Sequence, residues 1–77
     1  MTEREMDRLI DRIVDRACLE VKKYGRSDID FLTIAERYKA FREATDKERD
    51  DVLWYVRGVY KAVVSMNPWK IGVDIRY

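Results

Sequence analysis

Cys18, the acidic pairs Asp28 with Asp30 and Asp50 with Asp51, and the glycines Gly25, Gly58 and Gly72 are the residues whose types could do chemistry. They correspond to a thiolate nucleophile, a carboxylate-held cation and a phosphate-cradling loop. Each lacks the company its chemistry needs. The chain has no histidine, so the commonest general base and the commonest metal ligand are both missing. Cys18 falls on the apolar stripe of an expected helix, where a thiol packs as a small hydrophobe. Asp28 and Asp30 precede a helix start, and carboxylates there cap free N–H groups. Asp50 and Asp51 have the same explanation in the first turns of the next helix. The glycines stand too far apart to cradle a phosphate. These residues point to no catalytic, cofactor-binding or metal-binding site, no small-molecule substrate and a non-enzymatic protein.

With 77 residues, 47% hydrophobic and 40% charged, the chain reads as one small globular domain spanning 1–77, near the size where a single core is barely sufficient. One cysteine excludes an internal disulfide. No stretch reaches the roughly 20 apolar residues of a membrane span, and the first residues lack a signal-peptide profile. A cytoplasmic protein with no membrane partner is the expectation. The 16 basic and 15 acidic residues nearly cancel. They also cancel within 1–24, 25–44 and 45–66, and only the tail departs, with Lys70 and Arg76 against Asp74, so the basic excess usual for nucleic-acid binders is absent.

The elements that would position any site are three helices. The first covers about 2–24, with Met6, Ile10, Ile13, Ala17, Val21 and Tyr24 on one stripe. On its charged side, arginines and aspartates alternate so that Arg4, Arg8 and Arg12 each have an acid three positions on. Gly25 would stop this helix, with Lys22 and Lys23 in the last turn. Ser27 followed by Asp30 signals a second helix over about 28–44, burying Phe31, Ile34, Ala35, Tyr38 and Phe41. Thr45 with Glu48 forms a capping box for a third helix over 46–66, which Asn67-Pro68 ends. The fold class expected is mainly α: a small three-helix domain with an extended or β-strand tail over 69–77.

That tail alternates strictly. Trp69, Ile71, Val73, Ile75 and Tyr77 would face one way, and Lys70, Gly72, Asp74 and Arg76 the other. A lone strand leaves its backbone groups unpaired and asks for a second strand. The third helix adds a related shortage. Its apolar residues cover most of the circumference, leaving only a thin polar stripe of Arg57, Lys61 and Ser65 beyond the acidic first turns. A helix apolar nearly all round must be buried nearly all round, and two amphipathic helices cover only part of it. Gly58, costing about 1 kcal/mol against alanine in a helix interior, suggests close approach by another backbone.

Together these features point to a regulatory or interaction protein acting through self-association, as a homodimer, or through a protein partner. The expected contact residues are Trp54, Tyr55, Gly58, Trp69, Ile71, Val73, Ile75 and Tyr77. The alternative is a small helix-turn-helix-like DNA-binding regulator, with the second and third helices as the reader pair. Four acids at the start of the third helix, Asp46, Glu48, Asp50 and Asp51, disfavour it, because phosphates would repel them.

Overall fold

Two capping boxes set where the long helices begin. In the computed structural model, which describes residues 1–25 and 29–72, helix α1 spans Glu3–Tyr24. The Thr2 hydroxyl accepts the Glu5 N–H at 3.2 Å, and the Glu5 carboxylate accepts the Thr2 N–H at 3.3 Å. Gly25 closes the helix in the left-handed region, at φ 67°, and its N–H donates to the Val21 carbonyl. Helix α4, Asp46–Met66, repeats the device. Thr45 accepts the Glu48 N–H at 3.2 Å, and Glu48 accepts the Thr45 N–H at 3.0 Å. These reciprocal bonds satisfy donors that a helix start leaves free.

The expected second helix is two short ones. Helix α2 covers Phe31–Ala35 and helix α3 covers Lys39–Arg42, with Tyr38 between them in extended backbone at φ −96°, ψ 127°. Nothing in Glu36-Arg37-Tyr38 forbids a helix, so packing rather than propensity breaks it. The reason lies in the path the chain must cover. The Met1 amine meets Glu48 at 2.8 Å, and at the far end Gly72 lies against Lys22. Helices α1 and α4 therefore run parallel, and the segment between them must return almost the length of α1. At about 1.5 Å per residue α1 is about 33 Å long, whereas a continuous helix over 29–44 would cover only about 24 Å. Opening the backbone at Tyr38 lengthens the return. It also brings the Tyr38 hydroxyl to the Arg12 carbonyl at 3.3 Å and seats Phe41 in the core, 1% exposed.

Asp30 caps α2. Its carboxylate accepts from the Leu32 and Thr33 N–H groups and from the Thr33 hydroxyl. These bonds, the hydroxyl's first, hold its carboxyl below the usual range. Ser27 and Asp28 lie outside the described residues.

Asn67 ends α4 as expected. The tail then departs from the strand that its alternation predicts: Pro68–Ile71 is a 3₁₀ turn, closed by Gly72 at φ 84°. Proline at the first position presets a helical φ, and glycine supplies the left-handed residue that ends the turn. This local punctuation outweighs a two-residue period sampled over only three residues. The rest of the expected strand, Val73 to Tyr77, lies outside the described residues. The fold is mainly α, with no strand among the described residues.

The core sits along the α1–α4 contact. Leu9, Ile10, Ile13, Val14, Ala17 and Cys18 of α1 meet Val52 and Val56 of α4, with Ile34, Ala35 and Phe41 covering one side. Phe31 stands edge-on to Tyr60 with ring centroids 5.2 Å apart.

Two stability measurements test this construction. Phe41→Ala should cost about 3–5 kcal/mol, comparable to the whole stability of a domain this small. Circular dichroism should therefore find that variant largely unfolded, while Thr45→Ala should lose about 1 kcal/mol in urea titration. The second concerns pH. The Met1 amine, aided by the Thr45 N–H and hydroxyl, lowers the Glu48 carboxyl from 4.5 to about 2, and Glu48 raises the amine above 8.0. The carboxylate's share of stability is present above 4.5 and lost as pH falls toward 2; the amine's is present below 8.0 and lost as pH rises through its raised value. Urea midpoints measured between pH 4.5 and 2 should fall less steeply in Glu48→Gln than in the parent.

Candidate functional site

Helix α4 buries one side and leaves the other open. Val52 and Val56 are fully buried, while Val59, Tyr60, Val63 and Val64 are half-buried against the core. On the far side Trp54 is 72% exposed and Met66 76% exposed, with Tyr55, Gly58 and Ala62 also open to solvent. Trp54, Gly58, Ala62 and Met66 recur every four residues, which places them on one helical stripe. The Trp54 indole rests edge-on against Tyr55, ring centroids 5.2 Å apart at 84°, rather than on the core.

Among the described residues Gly58 has no packing reason: a Cβ built there meets nothing within 4 Å. The close backbone approach expected at this glycine is not made among the described residues. Instead it forms the floor of a shallow depression bordered by Trp54, Tyr55, Arg57, Lys61 and Ala62.

Tyr55 belongs to two hollows. On its other side a cleft opens between α1 and α4, with Met6, Ile10 and Val59 lining it and Glu3, Asp7 and Asp11 at its rim. The exposed stripe is thus bordered by an acidic row from α1 on one side and by Arg57 and Lys61 on the other. None of these charged residues has an ion-pair partner among the described residues. The ion pairs among the described residues lie elsewhere: the Met1 amine takes Glu48, Glu20 takes both Arg16 and Arg37, Lys39 takes Glu43, and Arg49 takes Asp46. The arginine–aspartate pairs expected along α1, Arg4 with Asp7, Arg8 with Asp11 and Arg12 with Asp15, are not among them. Each would add only about 0.2–0.5 kcal/mol on an exposed helix.

The structure thus brings Trp54, Tyr55 and Gly58 together. It separates two residues that the alternation had placed on one face. Trp69 points outward from the 3₁₀ turn, 60% exposed, whereas Ile71 is half-buried against the core. Val73, Ile75 and Tyr77 lie outside the described residues. Ala62, Met66 and the acidic row complete the surface and were not among the expected contact residues. The four-residue spacing from Trp54 carries the signal for the first two; the third depends on which side of α1 meets α4.

Groups with chemical potential are arranged for packing. Cys18 is buried, and burial pushes its thiol above the ordinary value, with Lys70 pulling against it. Burial likewise raises the Tyr60 hydroxyl. No cluster of three or more metal-ligating side chains occurs among the described residues, and no helix there is long and apolar enough to cross a membrane. Compared with known protein families, curated proteins and solved structures, the chain finds no match.

Gly58→Ala provides a direct check of the open position. With free space for the methyl and helical backbone, it should stabilise the dilute chain by about 0.5–1 kcal/mol. Urea unfolding at low protein concentration measures it, and a loss of stability would contradict the geometry.

Proposed function

We propose that this chain is a small non-enzymatic protein that works by protein–protein association, using the outward face of α4 with the exposed Trp69 beside the helix end. The observation that carries this reading is the continuous stripe of Trp54, Tyr55, Gly58, Ala62 and Met66, open to solvent on a helix whose other side is core. A tryptophan or tyrosine removed from water accounts for roughly 150–250 Å². At about 25 cal/mol per Å² that forgoes several kcal/mol for each aromatic left exposed. Such a loss is large for a domain whose core alone supplies only about 3–5 kcal/mol. Aromatic residues around a small-residue depression are also the composition of interface hot spots.

The DNA-regulator alternative gains no comparable support. Its recognition helix would be α4, whose start presents Asp50 and Asp51 exposed and without an ion-pair partner among the described residues, where phosphates would be repelled.

A photo-crosslinking amino acid placed at Tyr55 tests the proposal. It should yield a protein adduct, with its own chain or another, and the same probe at Lys39 on α3 should not. Trp54→Glu should abolish the Tyr55 adduct while shifting stability by no more than about 0.5 kcal/mol, because that position is exposed. Equal adducts at both positions, or none at Tyr55, would reject the α4 face as the working surface.

A further inference from the structure

We propose that the occupant of the α4 face is a second copy of this chain, docked with its α4 parallel to the first. The proposal rests on reading that face as an association surface, and goes further by naming the partner and its orientation. The charges beside the stripe carry it. Asp7 and Asp11 share a cleft with Tyr55 and Val59, so they stand beside the turns of α4 that carry Arg57 and Lys61. The acidic pair lies on one side of the stripe and the basic pair on the other, along the same stretch of α4.

Only one two-fold arrangement uses this pattern. A two-fold axis running along α4 keeps every residue at its own height and exchanges left for right. The acidic pair of one copy then faces the basic pair of the other, Asp7 and Asp11 against Arg57 and Lys61, and the contact occurs twice by symmetry. A two-fold axis across α4, giving antiparallel helices, keeps left on left. Acid would then meet acid and base would meet base. Exposed ion pairs contribute little each, so the flanks select partner and orientation while the apolar stripe supplies affinity.

The stripe suits the parallel pairing. Gly58 opposes Gly58 and allows the two backbones to approach, Ala62 opposes Ala62 one turn later, and the Trp54 rings stack beneath. Two copies of Trp54 and Tyr55 bring on the order of 500 Å² of exposed aromatic surface. Stable interfaces bury about 1,200–2,000 Å² in total, so this pair belongs at the low end and should dissociate on dilution.

Sedimentation equilibrium across a dilution series, on the full chain, provides the test. The parent should show a reversible monomer–dimer equilibrium. The double variant Asp7→Lys with Asp11→Lys should weaken it by roughly tenfold or more, as should Arg57→Glu with Lys61→Glu. The quadruple variant carrying all four changes should recover the parent's affinity, because parallel pairing again sets opposite charges together. All four positions are exposed, and circular dichroism confirms that each variant keeps its helices. Orientation is read separately by oxidation of Gly58→Cys and of Ala62→Cys: parallel helices cross-link each position to its own counterpart, and buried Cys18 does not compete. A parent that stays monomeric at the highest attainable concentration overturns the second copy as partner. Adducts from Tyr55 to a different protein would then still uphold the wider reading. A dimer that is indifferent to the double variants, or that cross-links at only one of the two cysteines, overturns the parallel arrangement.

Discussion

The parallel contact between α1 and α4 is the constraint from which the rest of the structure follows. Two neighbouring helices in sequence can pack antiparallel through a short turn, but parallel helices need a connection that travels back the length of the first. Here that connection is the stretch holding α2 and α3. It fulfils the requirement by opening at Tyr38, and in passing it lays Ile34, Ala35 and Phe41 over one side of the α1–α4 seam. Parallel packing also sets two positive helix ends side by side. Glu3, Glu5, Asp46 and Glu48 gather there, joined to the chain start by the Met1 amine, while Lys22 and Lys23 stand at the negative end of α1.

Such a frame covers the seam on one side with a full-length segment and on the other only at the end where the 3₁₀ turn packs. The uncovered stretch is where Tyr55 stands between its two hollows. Its neighbours on α4 turn still further from the core, and no element of the described chain reaches them. The open face is therefore a consequence of chain economy: one return segment protects one side. The same frame sorts the charges, since the side of α1 that carries Asp7 and Asp11 meets α4 beside Tyr55.

Helix boundaries were legible wherever a local device sets them. Thr45 with Glu48, Gly25 and Asn67-Pro68 act through bonds or torsions within a few residues, so the sequence alone shows them. The break at Tyr38 was not legible because no residue there disfavours helix; it arises from the distance to be covered, which is known only once α1 and α4 are parallel. The tail misled for a different reason. Trp69-Lys70-Ile71 alternates, but Pro68 and Gly72 bracket it with torsions that suit a single 3₁₀ turn, so Ile71 goes to the core and Trp69 to solvent. In the candidate surface, Trp54, Tyr55 and Gly58 could be picked out from the apolar excess of their helix. The acidic flank could not, because its meaning depends on a neighbour in space rather than in sequence.

The positions of Trp54 and Trp69 have an optical consequence. They are the two tryptophans of the chain, and both are exposed in the folded state. Their emission in the isolated monomer should lie close to that of indole in water and change little when the core melts. Covering α4 would move Trp54 into an apolar setting and shift its emission to shorter wavelength. Intrinsic fluorescence in this protein is therefore a gauge of contact between molecules rather than of folding within one.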